Sequence, residues 1–270
     1  MWKYAAIVSY AGTGFCGWQK QRGSAANGGA SLQATMEEAL ARITSEAPTV
    51  VGSGRTDAGV HALGQVVHFV LRAKEWDTGI LLRALNSLLA SRIQVLEVRP
   101  VGIEFHAQRS AVKKQYSYYF QEGPAAVPHL KHYSFWVKRP LNIALMHEAV
   151  SALIGEHDFK PFQASGARPG STVRQILEAE VTRESLPFPG GALGMRHEIG
   201  LVRVRVVGTG FLKQMVRGIA GTLLQVGENR RHPACTREIL ASGVRAEVGP
   251  TAPARGLWLE QVWYPEHFGL

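Results

Sequence analysis

Aspartate is scarce in this sequence, and one of its three aspartates lies where it could be reactive. Asp57 stands two residues after Arg55 in the glycine-bounded run Gly54-Arg55-Thr56-Asp57-Ala58-Gly59. A neighbouring guanidinium and the peptide N–H groups of a glycine-rich loop would keep this carboxylate ionised, ready to act as nucleophile or base. The alternative is a tight turn in which the aspartate caps its own backbone. The residue types alone leave both interpretations open and favour the turn.

Three histidines raise the question of a metal site: His61, His68 and His106. No acidic or cysteine residue stands at ligand spacing from them, and histidines that serve packing are the commoner case. We therefore predict no metal site.

Two arginines lie on one face of a segment whose other face is valine. Arg203 and Arg205 alternate with valines over residues 201–207, so the valines should face a core and the arginines solvent. They could line a channel for RNA, or they could be ordinary solvated charges. The sequence leaves these two interpretations open.

The spacing of apolar residues predicts the elements that position these side chains. Asp57 falls on a loop before a strand, and Tyr116 shares one strand face with Tyr118 and Phe120. The short, mostly alternating strands predict an α+β fold with antiparallel sheet. Predicted strands cover residues 1–9, 65–71, 93–98, 112–120 and 201–207, and predicted helices cover 32–43, 80–89, 143–154 and 211–226.

Composition limits the class of protein. A hydrophobic fraction of 46% and a charged fraction of 19% over 270 residues exclude a disordered or fibrous chain. Two cysteines exclude a disulfide framework, a zinc ribbon and an iron–sulfur cluster. No apolar run has the length of a membrane span, and the first residues do not resemble a signal peptide, so we expect a cytoplasmic protein.

Charge is distributed unevenly. The chain has 30 Lys and Arg against 21 Asp and Glu, a net charge of +9 that favours a polyanionic partner, nucleic acid first. Residues 1–105 hold 10 basic and 8 acidic side chains, whereas residues 106–270 hold 20 and 13. We expect an N-terminal half, 1–105, that carries the aspartate loop and a more basic C-terminal half, 106–270, that completes the site.

A longer pattern surrounds Asp57. The stretch Gly54-Arg55-Thr56-Asp57-Ala58-Gly59-Val60-His61-Ala62, followed by Gly64-Gln65-Val66-Val67-His68-Phe69, resembles the signature of the TruA-type tRNA pseudouridine synthases. The resemblance covers nearly the whole chain. It continues at Tyr10, Gly12, Thr13, Phe15, Gly17, Trp18, Gln19, Gln21, Leu32-Gln33, Arg83, Leu85, Asn86, Phe105-His106-Ala107, Ser110-Ala111, Tyr116-Ser117-Tyr118, His157-Asp158-Phe159, Phe162, Arg174, Ile176, Phe211, Met215-Val216-Arg217, Gly221 and Gly256-Leu257.

The resemblance implies a fold and an activity. The fold is two similar α/β halves with mostly antiparallel sheets around a central basic cleft. The activity is that of an isomerase which converts uridine to pseudouridine at positions 38, 39 and 40 in the anticodon stem-loop of tRNA. The resemblance also implies a homodimer that binds tRNA and needs no cofactor.

Site residues follow from the resemblance position by position. Asp57 matches the essential catalytic residue, Tyr116 the tyrosine that packs beside the reacting base, and Arg217 the arginine that pairs with the aspartate. Arg55 matches the residue thought to evict the target base and hold the RNA. The further substrate-binding candidates are Thr56, His61, Arg203 and Arg205.

The sequence departs from the family pattern in three places. Ala11 stands where the family usually has aspartate, and Gln115 stands where a basic residue is common. An additional glycine- and alanine-rich loop, Ser24–Ala30, precedes the first helix. These departures concern RNA contacts rather than the chemistry.

The implied reaction needs few groups. The uracil must leave the ribose, turn and rejoin through another ring atom, so one carboxylate and a closed base pocket suffice. The nucleotide must also be flipped out of its stack, at a cost of roughly a few kcal/mol. The sequence leaves open whether Asp57 attacks the base or acts on the ribose. Two other classes also fit the charge: an RNA-binding or RNA-chaperone protein, which would not need Asp57, and a base-excising glycosidase, which would release free base.

Overall fold

The computed structural model describes residues 1–20, 29–166, 170–187 and 198–270. Most of the additional loop Ser24–Ala30 and Gln21 of the family pattern lie outside these ranges.

Within these ranges the chain forms ten strands and five α-helices. The strands are β1 (Trp2–Tyr10), β2 (Val51–Gly52), β3 (His61–Leu71), β4 (Ile93–Pro100), β5 (Lys113–Glu122), β6 (Phe135–Val137), β7 (Gly155–Asp158), β8 (Val173–Pro187), β9 (Glu198–Gly208) and β10 (Leu257–Trp263). The helices are α1 (Leu32–Thr44), α2 (Thr78–Leu89), α3 (Ile143–Ser151), α4 (Met215–Gly227) and α5 (Cys235–Ser242).

The predicted α+β class is confirmed, and most strand pairs are antiparallel. Two predicted starting points differ from the structure by four residues, the largest differences among the predicted elements. Strand β3 begins at His61 rather than at residue 65, because Ala62 already pairs with Tyr10 of β1. Helix α4 begins at Met215 rather than at residue 211, because Gln214 has a left-handed backbone with φ of 60° that interrupts the helix.

The chain divides into two compact units. The first unit consists of residues 1–114 and 258–270, and the second of residues 115–257. The expected halves, 1–105 and 106–270, differ from these units at both ends of the second half. Residues 106–114 contact the first unit through bonds such as Val112 N–H to the Trp263 carbonyl, and β10 pairs with β3.

The first unit is built on strands β4, β1 and β3 in that order, joined by antiparallel pairing. Strand β2 pairs antiparallel with β3 near His68, and β10 pairs parallel with β3 near His61. The loop that connects β2 to β3 carries Asp57. Helices α1 and α2 contact each other, and α2 packs on β4.

Helix α1 shows why this sequence forms the predicted element. The Ser31 side chain caps its first turn by accepting from the Ala34 N–H, and Ser45 ends it in the left-handed conformation. Its apolar residues recur at helical spacing and are buried: Leu32, Met36, Ala39 and Leu40. The Leu32 N–H at the start of the helix donates to the Gly17 carbonyl (3.1 Å), which ties the helix to the loop formed by residues 10–18.

The second unit contains strands β5, β9, β8 and β7 in that order, with β6 parallel to β5. The pairs β8–β9 and β7–β8 are antiparallel. Helix α3 packs on β8 and on α4. Helix α4 is buried along almost its whole length, which holds Arg217 in its first turn in a fixed position.

Candidate active site

The polar side chains of the loop between β2 and β3 differ in exposure. Arg55 is exposed and Asp57 is half-buried, whereas Ser53 and Thr56 are buried. The Val60 N–H donates to the Asp57 carbonyl (3.1 Å), and Gly59 has a φ of 80°. The chain therefore makes a tight turn directly after Asp57, as the spacing of glycines predicts.

A second loop, residues 10–18, lies against the Asp57 loop. The Trp18 N–H donates to the Thr56 carbonyl (3.0 Å). Gly17 has a φ of 104°, and a Cβ there would stand 2.9 Å from the same carbonyl, while a Cβ on Gly12 would collide with the Val60 carbonyl. Both positions require glycine because the two backbones touch.

Buried polar side chains hold the Asp57 loop from the core side. The hydroxyls of Tyr10 and Thr56 share a hydrogen bond of 2.8 Å. Gln65 of β3 accepts from the Ser53 hydroxyl (2.5 Å) and donates to the Gly54 carbonyl (2.9 Å). Burial raises the pKa of the Tyr10 hydroxyl far above its usual value, so Tyr10 stays neutral at physiological pH.

Two of the predicted substrate-binding residues face inward. Thr56 contacts Tyr10 as described above, and His61 is fully buried. The His61 Nδ1 atom accepts from the Gly12 N–H (3.1 Å), and its ring stacks on Trp258 at a centroid distance of 4.4 Å. Their described contacts thus shape the loops, and contact with substrate stays a prediction.

Arg55 differs from these residues. Its side chain is exposed and forms no hydrogen bond or ion pair with the part of the chain that the structure describes. A guanidinium in this state can bind phosphate or stack on a base.

In the second unit, Tyr116 and Tyr118 have different environments. The Tyr116 ring packs edge-on against Phe211 with centroids 5.1 Å apart, and 8% of the residue is exposed. Tyr118 is fully buried and donates to the Pro253 carbonyl (2.8 Å). Burial raises the pKa of Tyr118. Tyr118 is therefore a core residue.

Arg217 is tied to the segment that precedes β10. Its Nε donates to the Ala252 carbonyl (2.8 Å), and the Ala252 N–H donates to the Arg217 carbonyl (3.1 Å). These reciprocal bonds fix the base of the guanidinium and hold it in one direction.

The two arginines of β9 form ion pairs on their own sheet. Arg205 pairs with Glu178 (2.7 Å) and Glu180 (3.3 Å) of β8, and its Nε donates to Gln115 (3.0 Å). Arg203 pairs with Glu184 (3.6 Å) and donates to Ser117 (3.0 Å). These contacts hold both arginines on the sheet, and their contact with RNA stays a prediction.

Comparison with known proteins identifies the family. A family described as tRNA pseudouridine synthase matches residues 6–108 and 149–265. The chain belongs to this family. Membership confirms the resemblance carried by the signature around Asp57, and pseudouridine synthases are isomerases.

Three relatives, each named tRNA pseudouridine synthase A, match over almost their full length. The protein of Bdellovibrio bacteriovorus is 39% identical, with 98% of this chain and 95% of the relative covered. Those of Maridesulfovibrio salexigens and Methylococcus capsulatus are each 38% identical, covering 98% and 99% of this chain and 92% of the relative.

Several residues that shape this pseudouridine synthase site carry no separate signal in the sequence. Ser53 and Gln65 resemble ordinary polar residues, although a glutamine inside an otherwise apolar strand is a weak indication of a buried hydrogen bond. Lys114 follows another lysine and resembles a surface charge, yet its Nζ donates to the Ser53 carbonyl (2.6 Å).

Neither a metal site nor a membrane helix is found in the ranges covered. The described residues include no cluster of three or more His, Cys, Asp or Glu side chains that could hold a metal ion. Among the helices in those ranges, none is both long and apolar enough to cross a membrane.

Proposed function

We propose that this protein isomerises uridine to pseudouridine at positions 38, 39 and 40 in the anticodon stem-loop of tRNA, with Asp57 as the catalytic nucleophile. One observation carries the proposal: the Asp57 loop is fixed from below while Arg55 and Asp57 remain accessible. A carboxylate in a rigid loop beside an unpaired guanidinium can meet a flipped nucleotide without reorganisation. The names of the three relatives support tRNA as the substrate.

The proposed reaction balances without a cofactor. The bond from uracil N1 to ribose C1′ breaks, and a bond from uracil C5 to C1′ forms. The proton lost from C5 is matched by the proton gained at N1, so the product is an isomer and no oxidant or reductant is needed. Asp57 forms a temporary covalent bond with the base or the ribose and is released when the new bond forms.

Each remaining site residue has one proposed task. Arg55 occupies or covers the place of the flipped base, Tyr116 packs beside the uracil, and Arg217 pairs with the Asp57 carboxylate. Thr56 and His61 act through the shape of the two loops, in agreement with their buried contacts.

An exposed basic segment of the second unit supports tRNA binding. Residues 123–147 contain no Asp or Glu, and we call them the acid-free segment. Lys131, Lys138 and Arg139 are exposed there, and their side chains form no hydrogen bond or ion pair with the described residues. Free cations of this kind neutralise phosphates.

We also propose that the protein is a cytoplasmic homodimer whose two halves complete a basic cleft, as the family resemblance implies. Sedimentation of the purified protein tests the dimer directly. A single species of monomer mass at micromolar concentration would contradict it.

The decisive experiment is Asp57→Asn, which keeps the side-chain shape and removes the nucleophile. Single-turnover formation of pseudouridine should fall below detection, while tRNA affinity and melting temperature stay near those of the wild type. The matched control is Asp77→Asn, because Asp77 caps α2 by accepting from the Ile80 N–H (2.8 Å) and asparagine caps equally well. The control should keep full activity.

Product analysis separates the proposed function from its rivals. Unchanged RNA from the wild-type protein would indicate a binding protein, and an abasic site would indicate a glycosidase. Near-normal pseudouridine from a well-folded Asp57→Asn variant would remove Asp57 from the mechanism.

A further inference from the structure

The Asp57 loop is anchored by hydrogen bonds at three of its residues. The carbonyl of Ser53, the carbonyl of Gly54 and the hydroxyl of Thr56 are each bonded from below. Between and after these anchors, Arg55 is exposed and Asp57 is half-buried. Two of the three anchors, Gln65 and Tyr10, are neutral, and the third is an ammonium.

That ammonium belongs to Lys114, near the start of β5. Its Nζ donates to the Ser53 carbonyl at 2.6 Å, a short and therefore strong hydrogen bond. No carboxylate within the ranges that the structure describes pairs with it. Lys114 thus carries an uncompensated charge to the base of the Asp57 loop.

Such a charge is costly. An ammonium removed from water without an ionic partner loses hydration energy that one hydrogen bond to a carbonyl does not restore. Accordingly, burial lowers the pKa of Lys114 to about 8. A methionine would avoid this desolvation cost, but the Ser53 carbonyl would lose the donor that Lys114 supplies.

We propose that Lys114 is a positioning residue for catalysis, whose ammonium fixes the Ser53 end of the Asp57 loop so that the carboxylate meets the flipped uridine in reactive geometry. The inference rests on the proposed function and names a residue that acts through Ser53 rather than on the RNA. Ser53 also donates to Gln65, which holds the Gly54 carbonyl, so a shift at Ser53 moves the next anchor as well.

The neighbouring groups whose pKa values are shifted by burial titrate well away from the pKa of Lys114. Tyr10 of β1 and Tyr264, which follows β10, have pKa values raised by burial and stay neutral well above pH 9. Burial lowers the pKa of His68 on β3 to about 4, with further lowering by His106, Lys3 and Arg109. The other titratable side chains of the two loops are Arg55, Asp57 and Cys16, and His61 stands at the start of β3.

The test compares Lys114→Met and Lys114→Arg with the wild type in single-turnover assays on full-length tRNA from pH 6 to pH 9.5. Lys114→Met should lower the rate about ten- to a hundredfold, because a small displacement of a reacting group costs this much. Its tRNA affinity and the salt dependence of that affinity should stay within twofold of wild type, since the Lys114 ammonium is bonded to the Ser53 carbonyl.

The pH profile isolates the charge of Lys114. The wild-type rate should decline above pH about 8, where the ammonium loses its proton and its hydrogen bond weakens. Lys114→Arg should keep its rate over this range because arginine stays protonated. An alkaline decline of equal size in both proteins would overturn the proposal, as would a wild-type rate in Lys114→Met.

The adjacent lysine provides a matched control. Lys113 lies over the Trp263 ring, 4.6 Å from its centroid, and does not contact the Asp57 loop through a described hydrogen bond. Lys113→Met should react at the wild-type rate, and a loss equal to that of Lys114→Met would overturn the assignment to Lys114. Failure of the proposed function looks different, because the wild-type protein itself would then form no pseudouridine.

Discussion

The two units hold their polar side chains in different ways. In the first unit, the residues beneath Asp57 are buried and mostly neutral, and they bond to the backbone of one short loop. In the second unit, Arg203 and Arg205 pair with glutamates near the surface of a sheet, and the Arg217 Nε donates to the Ala252 carbonyl. Buried neutral networks fix geometry, whereas surface pairs contribute little energy and remain open to solvent and salt. The first unit is therefore built to position a group, and the second to present charge.

The largest effect should follow from Arg217→Met, because it removes the one cation of the second unit that is proposed to act on Asp57. We expect kcat to fall at least about a hundredfold while tRNA affinity changes less than about threefold. Arg217→Lys should keep part of the rate that Arg217→Met loses. Equal losses in kcat and affinity would place Arg217 on the RNA, and a melting temperature checks that loss of the Ala252 bond has not unfolded the variant.

The next largest effect should be a loss of stability in Gln65→Leu. It removes the acceptor of the Ser53 hydroxyl and the side-chain donor to the Gly54 carbonyl, which we expect to cost about 2–4 kcal/mol in the free energy of unfolding. Gln121→Leu in the second unit is the control, since that buried glutamine donates one long bond of 3.5 Å to Ala125. Urea unfolding of both variants and the wild type measures the two losses in free energy of unfolding. Equal losses would show that the first network is no stronger than an isolated buried amide.

A smaller effect, on affinity alone, should come from the acid-free segment. Replacing Lys131, Lys138 and Arg139 by Gln should weaken tRNA binding about tenfold and reduce the slope of log K against log salt by about 2. Single-turnover rates at saturating enzyme should not change. The matched control replaces three exposed arginines of the first unit, Arg42, Arg72 and Arg83. If the control weakens binding equally, net charge rather than this segment attracts the tRNA.

The smallest effect should be that of Arg205→Gln. The arginine is already neutralised by Glu178 and Glu180, so removing it deletes no free cation. We expect tRNA affinity within about twofold of the wild type and a loss of stability below about 1 kcal/mol. Titration of labelled tRNA at two salt concentrations measures the tRNA affinity. A tenfold loss of affinity would support the interpretation of this strand face as an RNA channel.

The sequence predicted those parts of the molecule that depend on local periodicity. The helix that begins after Ser31 and the strand face that carries Tyr116 follow from spacing alone, and the turn at Asp57 follows from its glycines. The family pattern added the identity of the proposed reactive residue, which residue types by themselves did not decide.

What the sequence did not predict depends on contacts distant along the chain. Lys114 is half-buried and bonds to the carbonyl of Ser53, which lies far earlier in the sequence, so no local pattern indicates the contact. Strand β10 has an ordinary apolar sequence, and nothing in its spacing indicates that it pairs with β3. The left-handed Gln214 that delays α4 is likewise set by tertiary packing, since glutamine has no intrinsic preference for this conformation.

The return of β10 to the first unit has a consequence for synthesis of the chain. The second unit is continuous in sequence, from residue 115 to residue 257, so it can fold as soon as it leaves the ribosome. The first unit cannot, because Trp258, which stacks on His61, is made after the whole second unit. The Asp57 loop thus acquires its final support among the last steps of folding, and a nascent chain that stops before β10 carries the reactive aspartate without a completed unit around it.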